Sequence, residues 1–268
     1  MAERPLTVIV LAGQRSGVVN PLAAAADVSH KCFVPIAGKP LIEHVLDTVT
    51  ALPALAEIRI SAEPDAHEDL RTLIARYEPH GIPIRLLASR ANLVDSVLGA
   101  AGEDAGPFLV TTADNVLLTP AAVEQVRREL DSVDGVFALA RKENVLAAHP
   151  DAQRGFYRFR DGEFANCNIY GLANRRALSR GAEIFRGGGQ FMSSVGRMIA
   201  AFGLHNILLL RLGVFGVEAA MRRLSRRLGI EVRVTEFADG SLAVDVDNER
   251  TYRVCAELLA RRAESARP

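Results

Sequence analysis

The sequence has few of the residues that mark specialised classes of protein. The chain of 268 residues contains no tryptophan and only three cysteines. The cysteines, Cys32, Cys167 and Cys255, are far apart and form no Cys-x-x-Cys or Cys/His cluster. The sequence therefore suggests neither a disulfide framework nor a zinc site, and it is consistent with a reducing compartment.

Charge and hydropathy argue against two further classes. The 32 basic and 32 acidic residues balance to a formal net charge of zero, so no overall field favours nucleic acid as a partner. The N-terminus lacks the basic region and long apolar run of a secretory signal. The apolar stretch 198–210 is shorter than the roughly 20 residues that a membrane-spanning helix needs. We expect a cytoplasmic protein without a transmembrane segment.

What the sequence does contain is the alternation typical of an α/β protein. Hydrophobic residues make up 49% of the chain and charged residues 24%, as in ordinary globular proteins. Short apolar runs alternate with segments of helical period, which predicts βαβ units and a mostly parallel sheet. The predicted strands are 7–12, 58–62, 84–87, 107–112 and 133–140, and the predicted helices are 41–52, 65–77, 93–101, 120–130 and 249–262.

The pattern changes after residue 140. Residues 156–164 alternate in polarity and turn at an Asp-Gly pair, which predicts a β-hairpin. Residues 191–228 have a helical pattern, are unusually apolar and end in a basic stretch that contains four arginines, Arg222, Arg223, Arg226 and Arg227. Core packing is the ordinary role of such a segment, while a cover for a ligand site, a homodimer contact and docking to an anionic membrane surface remain alternatives.

The first forty residues combine a buried strand, a glycine turn and two cations. The strand ends in Leu-Ala at 11–12, and Gly13 and Arg15 follow in the turn. Further along, Lys31 precedes the segment 34–41, Val-Pro-Ile-Ala-Gly-Lys-Pro-Leu. Backbone N–H groups and two cations directed to one place suit a triphosphate.

This N-terminal pattern resembles the start of the nucleotidyltransferase superfamily, which includes molybdenum-cofactor guanylyltransferases, sugar-1-phosphate nucleotidyltransferases and cytidylyltransferases. The resemblance implies an α/β fold with a Rossmann-like, mixed and mostly parallel sheet flanked by helices, a β-hairpin insertion and a helical C-terminal part. It also implies one domain, 1–268, with a nucleotide-binding half, 1–140, and an acceptor-binding half, 141–268. The implied reaction is the magnesium-dependent transfer of NMP from an NTP to a phosphorylated small-molecule acceptor, with release of pyrophosphate.

The resemblance implies catalytic roles for the two cations. Arg15 would hold the β- and γ-phosphates, and Lys31 would hold the α-phosphate and the attacking oxygen. His30, where the family usually has proline, is expected to be a solvated loop histidine, and contact with phosphate is the alternative.

The base is expected to meet main-chain atoms at the end of the first strand. The resemblance implies that Leu11, Ala12 and Gly13 contribute these contacts, because glycine permits close approach. Ser96 lies in Asp-Ser-Val, which resembles a helix start in the cytidylyltransferases, and it is a further candidate for the base. The alternative is that Ser96 only bonds to the backbone near the helix N-terminus.

Two acidic segments are candidates for the metal site. Asp114 follows an apolar strand, at the edge where ligands bind in open α/β sheets. The segment 243–252 resembles the closing signature of the family, which implies that Asp247 joins Asp114 in binding Mg²⁺, with Asp245 assisting. Asp114 is also expected to contribute to nucleotide binding. Mg²⁺ commonly takes one or two carboxylates together with phosphate oxygens. The alternatives are an Asx turn at Asp114 and a helix N-cap at Asp247.

The acceptor is expected near the strand that follows the hairpin. Asn166 and Asn168 lie on one face there, and their amides suit the hydroxyls of a sugar or polyol. A pair of asparagines at a sheet edge that stabilises a turn is the alternative. Two other functions also remain: a glycosyltransferase that consumes a nucleotide sugar, and a non-catalytic nucleotide-binding protein.

Overall fold

The computed structural model describes residues 4–14, 20–183 and 215–265, and element labels run over these residues. The strands are β1 (Leu6–Leu11), β2 (Pro35–Ile36), β3 (Lys39–Pro40), β4 (Leu55–Ala62), β5 (Ile84–Ala88), β6 (Phe108–Thr112), β7 (Gly135–Arg141), β8 (Tyr157–Phe159), β9 (Gly162–Leu172) and β10 (Val232–Phe237). The helices are α1 (Pro21–Ala25), α2 (Leu41–Thr50), α3 (His67–Ile74), α4 (Leu93–Ala101), α5 (Pro120–Glu129), α6 (Lys142–Ala148), α7 (Arg175–Ala182), α8 (Val217–Leu228) and α9 (Glu249–Ser265).

One mixed sheet contains strands from both halves of the chain. Its order is β10-β7-β9-β6-β1-β4-β5, with β8 paired to β9. Neighbouring strands are parallel except for β9, which runs antiparallel to β6, β7 and β8. The Rossmann-like, mostly parallel fold and the β8–β9 hairpin are therefore confirmed. The hairpin contributes a central strand of the sheet, because β9 separates β6 from β7.

The core has two layers because the sheet buries both faces. Along β1, Val8 and Val10 face one layer and Ile9 faces the other, as the two-residue period of a strand requires. The first layer includes residues of α2, α5 and α9, and the second includes residues of α4, α7 and α8. Burial on both faces explains why β1 reads as a continuous apolar run rather than an alternating one.

Prolines set several helix boundaries. Pro120 occupies the first turn of α5, whose N-cap is Thr119, as its missing N–H favours. The predicted helix 65–77 is shorter than expected, because α3 is flanked by 3₁₀ turns that contain Pro64 and Pro79. The elements α1, α6, α7 and β10 were not predicted. Each is short and spans at most eight residues, so it shows little periodicity.

Helix α8 packs its apolar stripe into the core. Leu224 is almost fully buried in the layer that also contains Val232 of β10, and Ala220 is almost fully buried as well. Core packing is therefore confirmed for 217–228, while 191–214 lies outside the described residues. Among the helices of the described ranges, none is long and apolar enough to cross a membrane.

Gly240 lets the turn before the closing acidic segment pack directly on α6. A Cβ atom at this position would overlap backbone atoms of Asn144 and Val145. We expect Gly240→Ala to lower the free energy of unfolding by about 3 kcal/mol, since backbone atoms cannot rotate away as side chains do. Gly155→Ala is the control, because a Cβ there would meet nothing within 4 Å. Equal urea midpoints for the two variants would contradict the prediction.

Candidate active site

The site lies at the carboxyl edge of the sheet, where β1 and β6 end side by side. Leu11 pairs with Thr112, and the N–H of Ala113 donates to the carbonyl of Leu11 at 2.9 Å. The closing segment joins the same edge, because the N–H of Val246 donates to the carbonyl of Asp114 at 3.1 Å. Two segments more than 130 residues apart in sequence are thereby held together by backbone hydrogen bonds.

Three carboxylates converge at this edge. Asp114, Asp245 and Asp247 each place one oxygen within 4.8 Å of the others, close enough to share a cation. The Oδ1 atom of Asp114 is buried and has no hydrogen-bond partner among the described residues. A buried carboxylate oxygen without a donor is costly, and hard oxygen ligands are what Mg²⁺ prefers. The residues present therefore fit a divalent cation.

Lys31 places its ammonium group between two of these carboxylates. It lies in a 3₁₀ turn, and its Nζ donates to Asp114 Oδ2 and, at 3.1 Å, to Asp247 Oδ1. Burial lowers the pKa of Lys31, but the charges of Asp114, Asp247 and Asp245 outweigh it, so the pKa is raised above its ordinary value. Lys31 therefore stays charged and neutralises part of the cluster.

The contacts of Asp114 and Asp247 differ from the structural alternatives for them. Asn248, not Asp247, caps α9, because its Oδ1 accepts from the N–H groups of Arg250 and Thr251. An Asx turn at Asp114 would need a hydrogen bond from a backbone N–H to its side chain. The carboxylate of Asp114 instead accepts a hydrogen bond from Lys31. Both carboxylates are thus directed to the cluster.

Asp245 is held from the side of β9. Its Oδ2 accepts a hydrogen bond from Asn168 Nδ2 at 2.9 Å. Burial, followed by repulsion from Asp247 and Asp114, raises the pKa of the Asp245 carboxyl well above its ordinary value. The amide of Asn168 therefore meets a carboxylate whose charge is destabilised by burial and by its neighbours.

Asn166 lies beside Asn168, as the sequence predicted, but the two amides bond to each other. Asn166 Nδ2 donates to Asn168 Oδ1 at 2.7 Å and also to the hydroxyl of Tyr170. The strand that carries them is central in the sheet. Contact of either residue with an acceptor stays a prediction.

Asn115 anchors the loop that carries Asp114. Its side chain is almost fully buried and donates to the carbonyl of Cys167 at 3.0 Å and to the hydroxyl of Thr111 at 3.2 Å. Sequence reasoning did not single out Asn115 as a site residue. A polar residue directly after a buried strand was the signal that could have identified it.

The glycine turn after β1 is in contact with Glu63, which the sequence analysis missed. The N–H of Gln14 donates to both carboxylate oxygens of Glu63, at 3.0 and 3.1 Å, and the hydroxyl of Ser89 donates to one of them. A Cβ on Gly13 would lie 3.0 Å from the same carboxylate. Glu63 follows β4 as Ala12 follows β1, so its place at a parallel strand end was the available signal. Arg15 lies outside the described residues.

Ser96 and His30 both bond to neighbouring protein groups. The Oγ of Ser96 accepts from the N–H of Arg90 at 2.8 Å and donates to the carbonyl of Asn92 at 2.9 Å, so it organises the loop before α4. The expectation of a solvated His30 was wrong, because only 3% of it is exposed and its Nε2 lies 3.3 Å from Asp65.

An apolar cavity of about 160 Å³ borders this site. Its lining includes Leu11, Val94, Thr112, Asn168 and Tyr170. The polar cluster and the apolar cavity meet at Asn168, so a ligand bound here would have both surfaces available.

Removing the charge of Lys31 tests its role as the cation of the cluster. Without added metal, Lys31→Met should lower the free energy of unfolding by about 3 kcal/mol, since it leaves the largely buried carboxylate of Asp114 without its ammonium partner. Added Mn²⁺ should stabilise the variant more than the wild type, because no ammonium competes for the carboxylates. Thermal unfolding with and without Mn²⁺ measures both effects.

Lys142→Met is the matched control for that experiment. Lys142 pairs with Glu163 at 2.6 Å in a partly exposed position, and no ion pair among the described residues joins it to the three carboxylates. The same response to Mn²⁺ in both variants would contradict the assignment of Lys31.

Comparison with known proteins provides matches over most of the chain. A family profile described as the MobA-like NTP transferase domain matches residues 8–190. The bifunctional protein GlmU of Exiguobacterium sibiricum is 25% identical over 137 residues, which make up 51% of this chain. That alignment spans only 28% of the length of GlmU.

Solved structures share the fold. A hypothetical transferase from Thermus thermophilus superposes with a TM-score of 0.71 and 26% identity, over 93% of this chain and 99% of that one. The 4-diphosphocytidyl-2C-methyl-D-erythritol synthase of Anaerococcus prevotii superposes with a TM-score of 0.61 and 11% identity, over 97% of this chain and 100% of that one. At 11% identity the second likeness concerns the fold alone.

Proposed function

Because the chain belongs to the MobA-like NTP transferase family, we propose that this nucleotidyltransferase transfers NMP from an NTP to a phosphorylated sugar, polyol or alcohol in a magnesium-dependent reaction. The observation that carries the proposal is the convergence of Lys31 with Asp114, Asp245 and Asp247 at the carboxyl edge of the sheet. This arrangement combines a cation for phosphate oxygens with oxygen ligands for a metal.

The proposed reaction forms one P–O bond and breaks another. A phosphate oxygen of the acceptor attacks the α-phosphorus of the NTP in line, and pyrophosphate leaves with the electron pair of the broken bond. No covalent intermediate with the protein is needed, so the rate depends on positioning and on neutralising charge. We assign Lys31 to the α-phosphate and the attacking oxygen, and Arg15 to the β- and γ-phosphates.

We assign the metal to the carboxylates that already lie together. Asp114 and Asp247 would hold Mg²⁺, with Asp245 beside them, and the unpartnered Oδ1 of Asp114 supports this assignment. The bound ion would supply positive charge that offsets the charge of the phosphates. The carboxylates would hold the ion at the strand end where the nucleotide is expected.

The remaining assignments follow the halves of the domain. We propose that the main chain of Leu11, Ala12 and Gly13 meets the base, with Ser96 shaping the neighbouring loop. For Asn166 and Asn168 we keep contact with the acceptor as a prediction. We further propose a single cytoplasmic domain over 1–268 that works without nucleic acid, and we leave a homodimer and peripheral membrane contact open.

A glycosyltransferase that consumes a nucleotide sugar explains fewer of the contacts. In that scheme an Asp-x-Asp pair binds the metal, which 245–247 could supply, but Lys31 has no assigned task. A non-catalytic nucleotide-binding protein would need neither the ammonium nor a third carboxylate in one cluster. These contacts, together with family membership, favour nucleotidyl transfer.

A pyrophosphate-release screen tests the proposed function. The four common NTPs are each combined with sugar, polyol and amino-alcohol phosphates in the presence of Mg²⁺. Release that requires one NTP, one acceptor and the metal is the expected result. Release of sugar from a nucleotide sugar, without pyrophosphate formation from any NTP, would identify the glycosyltransferase instead.

The carboxylates should be required for turnover. Asp114→Ala and Asp247→Asn should each nearly abolish pyrophosphate release while leaving the protein folded, because each removes a metal ligand. Steady-state rates and thermal unfolding are measured together. Asp131→Asn, an exposed loop substitution, is the control. Full activity in either site variant would remove the metal assignment.

Lys31 should act mainly on the rate of the chemical step. Lys31→Ala should lower kcat by about 100-fold or more, as the loss of a preorganised charge does. Lys142→Ala serves as the control on the same preparation. A change in KM alone would assign Lys31 to ground-state binding rather than to the transition state.

A further inference from the structure

Asn168 occupies the point where β9 leaves its neighbour β6. The β6–β9 pairing ends at Tyr170, and the β7–β9 register is irregular between Phe137 and Leu139. Asn168 itself has a φ of +52°, in the left-handed region that costs most residues free energy. Asparagine tolerates this conformation better than other side chains of its size. The backbone therefore turns the side chain of Asn168 out of the regular sheet pattern.

The orientation of the Asn168 amide is determined by its neighbours. Its Oδ1 accepts from Asn166 Nδ2 at 2.7 Å and from the hydroxyl of Tyr170 at 3.3 Å. Its backbone N–H donates to Asn166 Oδ1 at 3.2 Å. With donors on the oxygen side, the NH₂ group is the half that faces Asp245, 2.9 Å from Oδ2. The amide thus serves Asp245 as a donor.

Asp245 differs from Asp114 and Asp247 in the group that donates a hydrogen bond to its carboxylate. The ammonium of Lys31 donates to Asp114 and to Asp247. The Oδ2 of Asp245 receives the amide of Asn168 instead. Repulsion within the cluster favours any rotation of Asp245 that moves its carboxylate away, and the Asn168 hydrogen bond opposes that rotation.

We propose that Asn168 is a positioning residue, which holds the carboxylate of Asp245 in the cluster so that the cluster binds a divalent cation. Asn166 supports it by fixing the orientation of the Asn168 amide. The inference rests on the proposed function, which identifies the carboxylate cluster as the metal site, and it adds a role for Asn168 at that site. Direct contact of Asn168 with the acceptor is the competing role.

The variant that isolates the side chain is Asn168→Gly. Glycine adopts a positive φ without strain, so the backbone conformation is retained while the amide is lost. We expect the Kd for Mn²⁺ to rise by about 10-fold or more, the effect typical of losing a partner that orients a metal ligand. Free Mn²⁺ is measured by electron paramagnetic resonance in the absence of nucleotide and acceptor.

Two further variants test whether the effect is specific to the Asn168 side chain. Asn166→Ala removes the group that orients the Asn168 amide, so its Kd should rise by a smaller factor. Asn174→Gly makes the same type of substitution at the N-cap of α7, outside the cluster, and should leave the Kd unchanged. Thermal unfolding of each variant without metal shows whether it is folded under the conditions of the titration.

The outcomes separate the two roles of Asn168 and separate this inference from the proposed function. Unchanged Mn²⁺ binding in Asn168→Gly with a raised KM for the acceptor would overturn the inference and assign Asn168 to the acceptor. Failure of the wild type to bind Mn²⁺ would overturn it as well. Weakened Mn²⁺ binding in Asn168→Gly, in a protein that releases no pyrophosphate with any tested pair, would support the inference and contradict the proposed function.

Discussion

Mutual repulsion among three carboxylates is the constraint around which this edge of the molecule is built. Asp114, Asp245 and Asp247 approach to within 4.8 Å, and the burial of Asp245 and partial burial of Asp114 reduce the screening of their charges by water, while Asp247 is exposed. The chain as a whole is neutral, so this concentration of charge is purely local. It persists because the single ammonium of Lys31 pairs with two of the carboxylates and offsets part of their charge, and Asn168 donates a hydrogen bond to the third.

The fold supplies the rigidity that this repulsion requires. Asp114 follows a strand that is buried over all but its last residue, and the neighbouring Asn115 ties its loop to β9. The closing segment is held to the same loop by Val246 and to α9 by a separate cap at Asn248. Since other residues perform the capping and anchoring, the carboxylates are left for a cation. This division of tasks supports a catalytic rather than a structural role for the cluster.

The sequence predicted correctly those features that depend on a few adjacent residues. The strand of β1, the position of Pro120 and the acidic closing segment each follow from a few adjacent residues. It missed Glu63 and the burial of His30, because both depend on partners from other segments, namely Gln14 and Asp65. It also expected both Asn166 and Asn168 to face an acceptor, although period alone cannot tell a free amide from one bonded to its neighbour.

The sequence by itself determined the alternation of strands and helices, and hence the parallel sheet whose carboxyl edge collects ligands. It also determined which side chains at that edge could hold phosphate and metal, because Lys31, Asp114 and Asp247 stand next to recognisable segments. Only the tertiary structure decided that β9 lies between β6 and β7, and thereby brings Asn168 to Asp245. Strand order and side-chain partners arise from packing between distant segments, and no local period encodes such contacts.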